Sequence, residues 1–163
     1  AGSARVRVTW RERDGELTLS VDDDGAGMPA GTVEKATSPF YTDGAKHPGR
    51  QIGLGLAFLR QTAEATGGAF ELRSEVGRGT RVSLTVPAGH VDLPPAGDVT
   101  DTVAMVLSAE GPVEIAVTRE NDSGAYTVRS SEVEEVLGDL SSVEARGLLR
   151  EYIRSQEDEI WQR

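Results

Sequence analysis

Alternating apolar and polar residues predict strands in the first half of the chain. Two such runs precede residue 22, and Asp14-Gly15 between them is typical of a hairpin turn. Their apolar members are Val6, Val8, Trp10, Leu17, Leu19 and Val21. Further strands are predicted at 69–74 and 81–86, joined by a turn over 75–80. A period of two indicates that each strand buries one face and exposes the other.

Two predicted helices lie between these hairpins. Residues 30–37 form a short helix that Pro39 ends. A longer helix is predicted from Leu54 to Thr66, and Gly67-Gly68 follows at the position where helices commonly stop. Strands and helices together indicate an α/β protein.

Prolines and glycines from residue 87 to residue 97 indicate a linker. The sequence therefore predicts three parts, which are residues 1–87, a linker at 88–97, and a small α/β extension at 98–163.

The extension has its own pattern of elements. We predict a helix near 98–108, strands at 113–118 and 125–130, and two final helices. Capping boxes are predicted at Ser131 with Glu134 and at Ser141 with Glu144, and Gly138 follows the first of these helices.

The last helix carries apolar residues mostly along one face. They are Val143, Leu148, Leu149, Tyr152, Ile153, Ile160 and Trp161. Two interpretations stay open. Either the extension packs on the first part of the chain, or 98–163 binds a protein partner or a second copy of the chain.

Charge and composition narrow the possible partners. The net charge of -10 argues against a nucleic-acid partner or an anionic membrane surface. No apolar run reaches the length of a membrane span, and no signal peptide is recognisable. We therefore expect a cytoplasmic protein without membrane insertion. The absence of cysteine excludes disulfides and thiolate metal sites.

The end of the second strand carries the first candidate chemistry. Asp22, Asp23 and Asp24 end the strand, and Gly25 and Gly27 follow, so backbone can approach a ligand closely. An ionised carboxylate only accepts hydrogen bonds, so it suits the amine of adenine and repels the carbonyl oxygen of guanine. A calcium loop would need alternating acidic ligands and a distal glutamate, which this stretch lacks.

Two later segments add candidate phosphate contacts. Residues 52–56 (Ile-Gly-Leu-Gly-Leu) begin the longer helix, where unpaired backbone donors and the helix dipole favour phosphate. Residues 42–51 lack periodicity and have the character of a lid over a ligand. This stretch concentrates Lys46, His47 and Arg50 in an otherwise acidic chain. Solvated loop charges are the alternative interpretation for each of them.

Together with residues 38–42 (Ser-Pro-Phe-Tyr-Thr), these segments resemble the nucleotide site of the GHKL ATPases. The resemblance is closest to the ATP-binding domain of histidine kinases and covers roughly residues 4–87. It implies a two-layer α/β sandwich with a mixed, mainly antiparallel sheet, and ATP with Mg²⁺ as cofactors. It implies that Asp23 binds adenine and that Gly79 and Thr80 face the same pocket. The site residues that it implies, with the cations of the lid, are Asp23, Gly25, Gly27, Phe40, Lys46, Arg50, Gly53, Leu54, Gly55, Leu56 and Thr80.

One part of the family pattern is missing from the sequence as given. The family has a preceding helix with an asparagine that ligates magnesium and an acidic residue that activates the attacking group. We therefore expect no catalytic residue here, poor nucleotide binding and negligible turnover by residues 1–163 alone. We also expect Val6, Val8 or their neighbours to be exposed where that helix would lie.

Two functions stay open at this stage. The first is a histidine-kinase-like ATPase module that transfers phosphate to a partner protein in signal transduction. The second is a non-catalytic, ATP-sensing binding module, either anti-sigma-like or accessory to a redox enzyme such as a hydrogenase. The tail resembles that of ATP-binding proteins encoded beside iron hydrogenases. His47 and His90 lack the helical, acid-flanked setting of a phosphoacceptor.

Overall fold

The computed structural model describes residues 2–38, 54–109, 111–140 and 142–161. The strands are β1 (Arg5–Arg13), β2 (Glu16–Asp23), β3 (Ala69–Glu75), β4 (Gly79–Pro87), β5 (Glu114–Asn121) and β6 (Ala125–Arg129). The helices are α1 (Ala30–Ala36), α2 (Gly55–Thr66), α3 (Val99–Leu107), α4 (Ser130–Leu137) and α5 (Val143–Trp161). Among these described residues, no helix is long and apolar enough to cross a membrane.

The described strands form one six-stranded sheet in the order β3-β4-β2-β1-β5-β6. Neighbouring strands are antiparallel except β1 and β5, which pair in parallel from Arg5↔Glu114 to Glu12↔Asn121. The predicted α/β class with a mixed, mainly antiparallel sheet is confirmed. The predicted β1–β2 hairpin is present, with Asp14 and Gly15 both at positive φ in its turn.

One face of the sheet carries the core, in two clusters. Ala63 of α2 packs with Leu84 and Val86 of β4 in the smaller cluster. The larger cluster joins β5 and β6 to α3, α4 and α5. Its fully buried members include Leu107, Leu149 and Ile153. Helices α2 to α5 therefore form one layer and the sheet the other.

The extension completes the sheet of the first part. Because β5 pairs directly with β1, the two strands of the extension continue the sheet beyond the linker. Val6 and Val8 of β1 are half-buried against the larger cluster. Val21, the cross-strand neighbour of Val8, is 37% exposed. The predicted domain boundaries at residues 87 and 98 stay a prediction, because strands from both sides of the linker belong to one sheet.

The starts of the last two helices differ from the predicted capping boxes. α4 begins at Ser130, and its first turn has no side-chain cap. Ser131 Oγ instead donates to Glu114 Oε1 at 2.8 Å, because the helix follows β6 directly. At the start of α5, Ser142 Oγ accepts from the amide of Ala145. Ser141 lies outside the described residues. The predicted stop at Gly138, with φ of 73°, is confirmed.

The predicted apolar face of α5 is only partly correct. Leu149, Ile153 and Ile160 are buried as expected. Val143, Leu148, Tyr152 and Trp161 are exposed instead. The inner face is completed by Ala145 and by Glu157, a buried carboxylate that hydrophobic periodicity cannot identify.

Glu157 belongs to a buried ion pair that fixes α5 to the sheet. Its carboxylate accepts from Arg119 Nε at 2.9 Å and from Arg119 Nη2 at 3.0 Å, a bidentate geometry. Tyr126 Oη donates to the same carboxylate. The guanidinium of Arg119 also lies 4.7 Å from the centroid of the Trp10 ring, a cation–π contact that extends the network to β1.

Replacing Glu157 by Gln should destabilise the protein strongly. The substitution removes the bidentate partner charge of Arg119, whose side chain is 2% exposed, and leaves it only the longer 3.5 Å contact with Glu12. Breaking such a buried pair costs about 3–5 kcal/mol in the free energy of unfolding, measured by urea denaturation. Glu151→Gln, at an exposed position of the same helix, is the control and should change stability by less than about 0.5 kcal/mol. Equal losses in the two variants would contradict this role.

The contribution of Glu157 should also depend on pH. Burial raises the pKa of Glu157, but the hydrogen bonds from Arg119 and Tyr126 outweigh burial and hold the pKa below its ordinary value. The stabilisation is therefore complete above the unfolded pKa of about 4.3 and is lost as pH falls through the lower folded value. The stability difference between wild type and Glu157→Gln should shrink in urea melts between about pH 5 and pH 3. A difference that stays constant over this range would contradict the assignment.

Candidate nucleotide-binding site

The site is built where β2 and β4 meet at one end of the sheet. Asp23, the last residue of β2, lies directly opposite Thr80 near the start of β4. Directly opposite residues of an antiparallel pair project from the same face, with Cβ atoms about 4.5–5.5 Å apart. That face is the one that carries Val21 and Leu84, so both side chains project toward the helical layer.

Asp23 is held in place by its own turn. Its Oδ1 accepts from the amide of Gly25 at 2.8 Å and from Ser3 Oγ at 3.3 Å. Among the described residues, both hydrogen bonds to the Asp23 carboxylate are accepted by Oδ1. The side chain is half-buried, so its Oδ2 is an acceptor at the edge of a partly desolvated site.

Ser74, on β3, is a site residue that the sequence analysis missed. Its hydroxyl donates to the carbonyl of Gly79 at 3.0 Å and accepts from the amide of Met28 at 2.8 Å. Because its one proton is used on Gly79, the 3.0 Å contact with Thr80 Oγ1 has Thr80 as donor. The oxygen of Thr80 then presents its lone pairs as an acceptor. Ser74 pairs with Thr80 across β3 and β4, and this register is not given by strand alternation alone.

Two glycines of the site have no room for a side chain. At Gly79, with φ of 95°, an added Cβ would lie 1.9 Å from the carbonyl oxygen of Asp23. At Gly27, with φ of 63°, it would lie 1.9 Å from the carbonyl oxygen of Glu75. The loop after β2 therefore packs backbone to backbone against the β3–β4 turn. The amide of Gly77 donates to the carbonyl of Ala26 at 2.8 Å in the same contact.

The two other carboxylates of the acidic run have different roles. Asp22 faces the opposite side of the sheet and pairs with Arg81 at 3.0 Å. Asp24 Oδ1 accepts from the amides of Ala4 and Arg5, and the bond from Arg5 is the main cause of its lowered pKa. Of the three, Asp23 is the carboxylate whose side chain faces the helical layer at the end of β2.

The remaining predicted site residues divide into two groups. Leu54, Gly55 and Leu56 lie at the start of α2, which packs on β3 and β4. Leu54 is the N-cap of α2, and its side chain makes no capping hydrogen bond. A Cβ added at Gly55 would have no atom within 4 Å, so the space beside it is open. Phe40, Lys46, Arg50 and Gly53 lie outside the described residues, as do the predicted lid and most of segment 38–42.

The described residues contain no group of three or more histidine, cysteine or acidic side chains placed to hold a metal ion.

Comparison with known proteins identifies the family. The profile of the histidine kinase-, DNA gyrase B-, and HSP90-like ATPases matches residues 1–90. The chain belongs to this ATPase family. The matched segment includes β1 to β4, and so the whole of the Asp23–Thr80 site.

The curated relatives of this ATPase chain include sensor kinases. Sensor kinase CckA of Brucella abortus is 33% identical over 133 residues, which are 80% of this chain and 13% of the relative. Histidine protein kinase DivJ of Caulobacter vibrioides is 36% identical over 84 residues, 51% of this chain and 14% of the relative. The chain thus spans only about a seventh of either kinase.

Solved structures that match part of this chain also come from histidine kinases. Full-length ShkA in complex with AMPPNP has 26% identity and a TM-score of 0.41, covering 54% of this chain and 18% of that one. The nucleotide-free catalytic domain of ThkA has 25% identity and a TM-score of 0.40, covering 51% of this chain and 52% of that one.

Substituting Gly79 by Ala should disrupt the site. The added Cβ would overlap the backbone of Asp23 and Asp24 as well as strain a positive φ. Gly77→Ala is the matched control, because Gly77 has φ of 78° but nothing within 4 Å of an added Cβ. Both variants carry the strain of about 1–2 kcal/mol, and Gly79→Ala should lose about 1–3 kcal/mol more in thermal or urea unfolding. Equal stability losses would show that the close approach is not needed.

Proposed function

We propose that this chain is the ATP-binding module of a histidine-kinase-like signalling protein. The observation that carries the proposal is the pair of acceptors at Asp23 and Thr80, enclosed by Gly27 and Gly79 in the segment that matches the ATPase family. The relatives are sensor kinases, which supports a role in signal transduction.

The site fits the adenine of ATP. The amine of adenine offers two protons, and Asp23 Oδ2 with Thr80 Oγ1 supplies acceptors on neighbouring strands. The carbonyl oxygen of guanine has no proton to offer and would face an ionised carboxylate. In this proposal Asp23 orients the base. The hydrogen bond that the Gly25 amide donates to Asp23 and the one that Thr80 donates to Ser74 hold the two acceptors in place.

The phosphates are proposed to lie toward the start of α2. Leu54, Gly55 and Leu56 provide backbone amides there, and a helix N-terminus favours anions. Phe40, Lys46, Arg50 and Gly53 belong to the same proposal on their sequence alone. Mg²⁺ is proposed to enter with ATP, since this ion is usually held by phosphates and water with one or two carboxylates. The bound nucleotide would supply the phosphoryl group for transfer.

The phosphoryl acceptor is proposed to be a partner protein in the cytoplasm. The surface of the extension at 98–163 supports a protein contact, because large apolar side chains are exposed on it. They are Met105, Val136, Val143, Leu148, Tyr152 and Trp161. A partner protein or a second copy of the chain would remove this surface from water.

Asp23→Asn should weaken ATP binding. The amide replaces a charged acceptor with a neutral group that can present a donor to the base. The loss should be about 1.5–3 kcal/mol, or roughly ten- to a hundredfold in Kd, measured by isothermal titration calorimetry with Mg²⁺ present. The discrimination of ATP against GTP should fall as well.

Asp22→Asn is the control for this titration, because Asp22 faces the other side of the sheet. Its affinity for ATP should stay within about twofold of wild type. Unchanged ATP affinity in Asp23→Asn, or equal effects of the two substitutions, would contradict adenine recognition by Asp23.

A further inference from the structure

The sheet face opposite the helices carries a row of arginines. Cross-strand register aligns one residue from each described strand along this row. In order across the sheet these are Arg73, Arg81, Asp22, Arg7, Ala116 and Arg129. We name this set the arginine row. It contains four arginines and a single carboxylate, in a chain whose net charge is -10.

Strand alternation separates the arginine row from the core. Each row member has neighbours in sequence that face the other way. Next to Ala116 and Arg129, for example, are Val117 and Val128, which are buried in the larger cluster. Val82 follows Arg81 in the same way. Successive side chains of a strand point to opposite faces, so the row lies on the face away from the described helices. Its side chains are accessible: those of Arg73, Arg81 and Arg129 are 73%, 55% and 50% exposed.

An open groove of about 710 Å³ follows this row. All four arginines of the row line it, together with Arg5 and Arg78. The same groove is also lined by Thr80 and by five carboxylates, which are Asp22, Asp23, Asp24, Glu75 and Glu114. The groove therefore reaches the end of the sheet that carries the candidate nucleotide site. The side chains of Asp23 and Thr80 project to the helical face, whereas the arginines project to the open face.

The charges of the row are only weakly neutralised. Arg81 pairs with Asp22 at 3.0 Å, Arg73 with Glu71 at 2.6 Å and Arg129 with Glu132 at 2.8 Å. Exposed pairs of this kind contribute little and exchange readily with other anions. Among the described residues Arg7 has no ion-pair partner.

Two features of the row favour an anionic ligand. Arg73 and Arg81 lie directly opposite each other on β3 and β4, and like charges in this position destabilise a sheet. A bound carboxylate would relieve that repulsion. The next row along the sheet adds hydroxyl groups that can donate to a carboxylate. They are Ser83, Thr9, Thr118 and Thr127, whereas Ser20 of the same row is buried and Glu71 is the row's member on β3.

We propose that the arginine row binds an acidic segment of a partner protein, laid across the strands. Five interstrand spacings from Arg73 to Arg129 span about 24 Å, the length of about seven extended residues. A short acidic peptide can place its carboxylates on the row without covering the acidic surface around it. A nucleic acid carries dense negative charge along its whole length and would be repelled by that surface. The planar guanidinium groups suit bidentate binding of carboxylates.

The proposal can be tested with capped hepta-glutamate as the probe and uniformly ¹⁵N-labelled protein. Titration at low ionic strength should shift the amide and Arg Nε signals of Arg7, Arg73, Arg81 and Arg129 in NMR spectra. Capped hepta-glutamine, of equal length without charge, should cause no such shifts. Raising the ionic strength to about 0.5 M should abolish most of the binding, because exposed charges are screened.

Substitutions should locate the binding to the row. Arg7→Ala and Arg129→Ala should each raise the Kd for hepta-glutamate about threefold, and the double variant about tenfold. Arg11→Ala is the matched control, because Arg11 projects from the same face of β1 outside the row, and it should leave the Kd within about 1.5-fold. The side chains of Arg7, Arg11 and Arg129 are all exposed, and unchanged melting temperatures of the variants would confirm folding.

Three results would overturn the proposal. The first is no shift of row signals by hepta-glutamate. The second is an equal effect of Arg11→Ala and of the row variants. The third is binding of inorganic phosphate at this row as tightly as hepta-glutamate, which would make it a small-anion site.

Discussion

The register of β2 against its two neighbours is the constraint on which the other features depend. Asp23 pairs with Val6 on one side and with Thr80 on the other, and Asp22 pairs with Arg7 and Arg81. A slip of one residue would exchange the two faces, because side chains alternate along a strand. Asp22 would then face the helical layer and Asp23 the arginines. The Asp14-Gly15 turn and the close approach of Gly79 to Asp23 both fix this register.

The larger part of the core depends on the parallel pairing of β1 with β5. This pairing lets the helices of the extension cover Val6 and Val8, which belong to the ATPase segment. The ion pair of Arg119 with Glu157 then links β5 to α5, and Trp10 extends the contact to β1. A buried pair adds little net stability over an apolar pair of similar shape, but the loss of one partner is costly. The pair therefore makes the position of α5 specific, and through α5 the cover over β1.

Local patterns predicted much of the fold and part of the site. Period-two alternation identified the strands, Gly67 and Gly138 ended helices as expected, and the acidic run with its glycines indicated the position of Asp23. Long-range contacts were not predictable in this way. The partners of Ser131, Glu157 and Ser74 lie on other elements, so no local rule assigns them. The arginine row likewise appears only when the register of all six described strands is known.

The central claim is that the Asp23–Thr80 pair binds adenine, and a titration of the labelled protein with adenosine tests it most directly. Adenosine lacks phosphates, so it tests binding at the base site without any contribution from phosphate contacts at the start of α2. We expect shifts of the backbone amides of Gly25, Gly27, Ser74 and Thr80 in NMR spectra, with much smaller shifts on titration with guanosine. Shifts confined to other parts of the chain, or equal responses to the two nucleosides, would contradict it.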